Sequence, residues 1–191
     1  ELRQLENKQW EQITLPHTPF VEPLTVLHQW QGICYYKKKI TITPEEAKKH
    51  IWIEFEGAMH LADVWINGKH VMQHAGGYTP FVVDATGLLK TDKENELLVR
   101  LDNRNNSLIP PGKPLETLDF CYYGGIYRNV HLIAKADVHI THPILDGHPA
   151  GAGIFITYPK VSQELSVVDA KTEIKNTSDK EKVVELRHTL Y

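Results

Sequence analysis

Hydrophobic and polar residues alternate over much of the chain. In Ile51-Trp52-Ile53-Glu54-Phe55-Glu56, the residues Ile51, Ile53 and Phe55 fall on one face and Trp52, Glu54 and Glu56 on the other, because strand side chains alternate with period two. The pattern predicts a half-buried strand. Ala62 to Ile66 repeats it and reaches Asn67-Gly68, the pair favoured where both central residues of a tight hairpin turn need positive φ. The chain then returns through Lys69 to Met72, so a hairpin is expected. Further strands are predicted over 35–41, 79–84, 96–102 and 126–133, with Gly124-Gly125 bending the chain into the last. Helical pattern is confined to 44–50, where Thr43 is placed to cap and Pro44 takes the first helical position, enough for one short turn. Dense strands with Gly, Pro and Asn turns and no interleaved helices predict an all-β antiparallel sandwich.

Two stretches break the rhythm. Residues 103–118 hold Asn103, Asn105, Asn106, Pro110, Pro111, Gly112 and Pro114, which excludes a central strand and leaves a functional loop or a disordered surface excursion. Beyond residue 135 the pattern starts afresh. Val138 to Ile140 reads as a first strand, 142–153 as a Pro/Gly/His connector, and 165–174 and 183–190 as alternating strands about a polar turn at 176–181. About four strands are too few for the ~7 of an immunoglobulin-like sandwich, so a second domain cut short is expected. The expected division is 1–135 and 136–191.

Composition narrows the function classes. Among 191 residues, 21 basic side chains face 24 acidic ones for a net charge of −3, which gives no electrostatic footprint for nucleic acid or an anionic membrane. No apolar run approaches the ~20 residues of a membrane helix, and no charged-then-apolar leader opens the chain. The compartment stays open between bacterial periplasm and cytoplasm. The chain opens on Glu1-Leu2-Arg3, without methionine, which leads us to expect a processed or excised piece. Cys34 and Cys121 lie in apolar, aromatic contexts and read as buried free thiols rather than a bridge.

Most candidate chemistry dissolves on inspection. Glu54 and Glu56 have a spacing that two glycosidase carboxylates could use, but glutamates alternating with Ile and Phe are the ordinary solvated face of a sandwich strand. The chain has 11 histidines, yet His60, His70, His74, His139 and His142 lack the short, convergent spacing of a zinc site. On a strand His139 and His142 would point to opposite faces, and no metal is expected. Lys37-Lys38-Lys39 suits a protected sheet edge. No nucleophile elbow, phosphate loop or nucleotide fingerprint is present. One constellation remains, Asp119, Phe120, Tyr122 and Tyr123 after the Asn-rich loop. Aromatic faces beside polar groups suit a sugar's C–H face and hydroxyls, and equally suit packing.

Four segments, in order, resemble the amino-terminal sugar-binding domain of glycoside hydrolase family 2, the family of large β-galactosidases and β-glucuronidases. They are Leu15-Pro16-His17-Thr18; Phe55-Glu56-Gly57-Ala58 followed by Ala62 to Gly68; His74-Ala75-Gly76-Gly77-Tyr78-Thr79-Pro80-Phe81; and Gly124-Gly125-Ile126-Tyr127-Arg128-Asn129-Val130. The resemblance implies a jelly-roll sandwich of the galactose-binding type over 1–135, a truncated immunoglobulin-like domain over 136–191, and a catalytic (β/α)8 barrel beyond. In the family both catalytic glutamates lie on the barrel, so the resemblance implies no catalytic residue here. Asp119 stands where β-galactosidases of the family place an aspartate that contacts the galactosyl unit. Asn103, Tyr122 and Tyr123 accompany it as substrate-binding candidates without matched family positions, and Arg128 is expected to brace a domain interface. The resemblance further implies no cofactor in these residues, magnesium or sodium in the parent's catalytic domain, and a homo-oligomeric parent acting on a β-galactoside or related glycan. A free-standing carbohydrate-binding module, a structural scaffold, and a fragment of a β-glucuronidase or β-mannosidase stand as alternatives.

Overall fold

The computed structural model describes residues 9–21, 29–120, 122–148 and 152–190. Eleven strands account for nearly all its regular structure: β1 (Ile33–Ile40), β2 (His50–Phe55), β3 (Leu61–Ile66), β4 (Lys69–Ala75), β5 (Phe81–Asp84), β6 (Asn95–Asp102), β7 (Val130–Lys135), β8 (Val138–Ile140), β9 (Ile154–Val161), β10 (Ser166–Thr172) and β11 (Ile174–Asn176). They form four sheets, ordered β1-β6-β3-β4, β5-β2-β7, β10-β9 and β11-β8. The expected hairpin is β3 and β4, antiparallel from Leu61↔Ala75 to Ile66↔Lys69, with Asn67 and Gly68 at φ 51° and 79°. The expected helical turn is a 3-10 turn at Glu46–Lys48. Thr43 caps it as proposed: its hydroxyl accepts from Glu46 N (3.2 Å), and the Glu46 carboxylate accepts from Thr43 N (2.8 Å).

The chain divides into two compact units, one of residues 1–38, 55–80 and 98–130, the other of residues 39–54, 81–97 and 131–191. The first buries Phe55, Ala58, Met59, Ala62, Val64, Ile66, Leu98, Val99 and Leu101. In β3 the inward row is Ala62, Val64 and Ile66, which the period-two pattern had assigned. The second unit buries Ile42, Ile51, Ile53, Phe81, Val82, Val83 and Leu97. Its loop 90–95 closes on the Asn95 amide, which is fully buried, accepts from Lys90 N (2.7 Å) and donates to the carbonyls of Lys90 (2.8 Å) and Ile40 (3.2 Å).

Expectations change at three places. Trp52, assigned to the solvated face of its strand, is 5% exposed, because the rings of His139 and His142 meet it edge-on, each 5.4 Å between centroids. Those two histidines therefore face the same residue rather than opposite ways. β8 ends at Ile140, so strand alternation does not reach His142, whose ring also lies 3.6 Å from the Glu54 carboxylate. Second, the last strand of the first region starts at Val130, not 126. The carbonyls of Gly125, Ile126 and Asn129 accept from Met59, His17 and Glu56, three separate partners, so no regular ladder forms there. Third, β9, a strand that the pattern did not predict, follows the expected connector and pairs with β10, while 183–190 joins no sheet among the described residues. Alternation alone makes no strand without a neighbouring backbone to pair with.

Candidate functional site

Around residues 122–129, glycines admit the close approach of other groups. A Cβ on Gly124 would lie 2.8 Å from Asn103 Nδ2 and 2.9 Å from the Trp30 ring. Gly125 has φ +97°, and a Cβ there would meet the Tyr36 hydroxyl at 2.5 Å and the His17 carbonyl at 2.6 Å. The pair is thus a place of close approach, and Gly125 bridges to Met59 instead of leading directly into a strand. Tyr127 brings the remaining motif segments together. Its ring lies against Gly57, where a Cβ would sit 2.9 Å away, and its hydroxyl donates to the Gly77 carbonyl. Arg128, exposed, stacks over the Tyr127 ring at 5.7 Å.

Asn103 is 1% exposed. Its Oδ1 accepts from Gly32 N (2.7 Å), its Nδ2 donates to the Trp30 carbonyl (3.0 Å), and its own N–H donates to the Gly32 carbonyl (3.2 Å). The side chain is committed to backbone on 30–32. Tyr122 is 4% exposed. Its N–H donates to Gln29 Oε1 (2.8 Å), and its hydroxyl bonds His60 Nδ1 (2.5 Å). Burial, then the neighbouring Tyr78, pushes the Tyr122 phenol up to about 12. Burial also lowers His60, against an opposing pull from Asp102. The pair is therefore a neutral phenol and a neutral imidazole near pH 7. Tyr123 is half-buried. Asp119 differs from all three: it is exposed, and its carboxylate has no hydrogen-bond or ion-pair partner among the described residues.

Beside this segment runs a line of charges that sequence reading missed. On β6, Val99 and Leu101 point inward, which turns Arg100 and Asp102 to the other face. Asp63 on β3 accepts from His70 Nε2 (3.0 Å) and Gln73 Nε2 (2.9 Å) and lies 3.4 Å from the Arg100 guanidinium. Arg100 continues to Asp102 (3.1 Å). Asp102 is gripped by Arg104 through Nε (2.9 Å), a terminal nitrogen (2.6 Å) and the backbone N–H (3.1 Å). Burial raises the Asp102 carboxyl, but the Arg104 hydrogen bonds and the charges of Arg104 and Arg100 hold it below the usual carboxylate range. The available signal was the alternation of Arg100 and Asp102 with inward Val99 and Leu101.

An open cleft of about 530 Å³ lies at this place, lined by Gln31, His60, Leu61, Asp102, Arg104 and the Asn105-Asn106 pair. The loop 103–118 is tied down at its start, where Gln31 Nε2 donates to Asn105 Oδ1 and Asn105 N to Gln31 Oε1, both 3.0 Å. Burial pushes the thiol of Cys34, a free cysteine, up to about 12, which leaves it protonated and unreactive. Cys121 lies outside the described residues. Among the described residues no three His, Cys, Asp or Glu side chains cluster as metal ligands would.

Known proteins share this arrangement of segments. Residues 9–136 match the family described as "Glycosyl hydrolases family 2, sugar binding domain". A β-glucuronidase of Formosa agariphila is 32% identical over 93% of the chain and 19% of its own length. A β-galactosidase of Thermoanaerobacter pseudethanolicus is 34% identical over 90% of the chain and 24% of its own length. The crystal structure of Bacteroides uniformis β-glucuronidase superposes with a TM-score of 0.74 at 34% identity, over 88% of the chain and 19% of that structure. The chain thus spans between 19% and 24% of the length of these relatives.

Proposed function

The chain belongs to glycoside hydrolase family 2, and from that membership we propose that it is the non-catalytic amino-terminal part of a β-galactosidase. In this reading residues 1–135 form the sugar-binding domain and 136–191 belong to an immunoglobulin-like domain. The catalytic glutamates, with any magnesium or sodium, sit on a barrel outside these residues. The chain alone hydrolyses no glycoside. Its part is to present Asp119 to the sugar held by that barrel.

The observation that carries the proposal is the contrast among the candidate residues. Asn103 and Tyr122 spend their polar atoms inside the domain, whereas Asp119 is held out exposed and without a described partner. A carboxylate accepts hydrogen bonds from galactose hydroxyls but repels the carboxylate of a glucuronide, which favours the neutral sugar. A second reading, a β-glucuronidase, is favoured by the relatives from F. agariphila and B. uniformis that carry that activity in their names.

Turnover of p-nitrophenyl β-galactoside and β-glucuronide by the full-length protein tests both. Faster cleavage of the galactoside supports the first reading, and faster cleavage of the glucuronide replaces it with the second. Asp119→Asn is expected to lower galactoside kcat/KM about 10- to 100-fold, since a hydrogen bond to a charged group is worth ~1.5–3 kcal/mol. A folded variant within a few-fold of the parent would make Asp119 part of the scaffold.

A further inference from the structure

The cleft beside β3 and the end of β6 is not used by the Asp119 reading, and its chemistry is specific. His60 is 2% exposed and forms part of the wall. Its Nδ1 is spent on Tyr122, which leaves Nε2 as the second hydrogen-bonding atom of a neutral ring. Gln31 uses one N–H and one lone pair in its exchange with Asn105, out of the two of each that a side-chain amide carries. Asn106 spends its carbonyl oxygen on Leu108 N (2.9 Å) and not its NH2. Asp102 and Arg104 complete the wall as a pair whose charges cancel.

Such a wall discriminates. An anion calls for a positive wall and a cation for a negative one, whereas Asp102 and Arg104 neutralise one another. A hydroxyl asks for neither, because it donates and accepts at once and matches an amide or an imidazole. The volume of about 530 Å³ falls within the ~300–1,000 Å³ range of small-molecule sites. Among the described residues the wall has no aromatic ring broad enough for stacking, so recognition runs through hydroxyls. We propose that this cleft binds an uncharged sugar unit of a glycan, separate from the unit contacted by Asp119. The proposal deepens the glycosidase reading and rests on it for the class of ligand. It gives the Tyr122–His60 bond a second role, since one hydrogen bond joins the cleft wall to the segment that carries Asp119.

The test is calorimetric titration of the full-length protein with a neutral β-linked galactotriose whose glycosidic oxygens are replaced by sulfur, so that it is not cleaved. Leu61→Trp, at the half-buried start of β3, fills the cleft, and Gln31→Ala removes one amide. Both variants are compared with the parent at matched thermal midpoints, and Gln31→Ala carries the comparison if Leu61→Trp unfolds. Binding in the parent that weakens tenfold or more in the variant supports the site. Absent binding in the parent, equal binding in parent and variant, or tighter binding of a uronic acid trisaccharide overturns it. Cleavage of the aryl glycosides reports separately on the glycosidase reading, so either proposal can fail while the other stands.

Discussion

The hydroxyl of Tyr122 bonds Nδ1 of His60, 62 residues earlier in the chain, and both side chains are buried. Tyr122→Phe keeps the ring and removes the hydroxyl, leaving a buried imidazole nitrogen without its partner. An unsatisfied buried polar atom costs about 1–3 kcal/mol. The expected outcome is a loss of that size in urea unfolding, together with faster amide exchange over 119–123. A variant as stable as the parent would show that the bond contributes nothing.

Asn103 and Gly124 are expected to behave as one unit. Asn103→Ala removes the acceptor of the Gly32 N–H and a donor to the Trp30 carbonyl, and Gly124→Ala drives a methyl group against Asn103 Nδ2 and the Trp30 ring. Each change should cost about 1–3 kcal/mol. Removing the Asn103 amide also makes room for the Gly124 methyl group, so the double variant should lose less than the sum, by roughly 0.5–3 kcal/mol. A double-mutant cycle in urea measures the difference, and strict additivity would separate the two sites.

Trp52 is covered by His139 and His142. Trp52→Ala should cost about 3–5 kcal/mol, the range for deleting a large buried aromatic side chain. A solvated position, which alternation alone assigns it, would cost within ~0.5 kcal/mol. Denaturant unfolding separates the two outcomes.

Acid should weaken the protein in two stages. Burial lowers His60, and the Arg104 and Arg100 interactions lower Asp102 in spite of its burial. Both groups therefore take up protons more readily when unfolded. The stability they contribute is present above the unfolded values, about 6.5 for His and about 3.9 for Asp, and is lost as pH falls through the lower folded ones. The urea midpoint should drop first below about pH 6.5 and again below about pH 4. Asp102→Asn should shrink the second drop but not abolish it, because Asp146 is also lowered, chiefly by its hydrogen bond from Lys175. A midpoint that rises on acidification would contradict this account.

What the sequence by itself determined is local. The 3-10 turn, the hairpin with positive φ at Asn67-Gly68 and the inward row Ala62, Val64 and Ile66 follow from residue type and a period of two, because backbone sterics and side-chain alternation act over neighbouring residues. The resemblance also picked out Gly57, Gly77, Gly124 and Tyr127 as motif residues. Only the tertiary structure shows why glycine is needed beside Tyr127 and Asn103, since the atoms that would collide with a Cβ come from distant parts of the chain. The same holds for Trp52, which is buried by rings more than 80 residues away, and for the run from Asp63 to Arg104, which exists because β3 lies beside β6. Alternation tells which side of a strand a residue occupies. It does not tell what lies on that side, and burial, charge pairing and clefts depend on that neighbour.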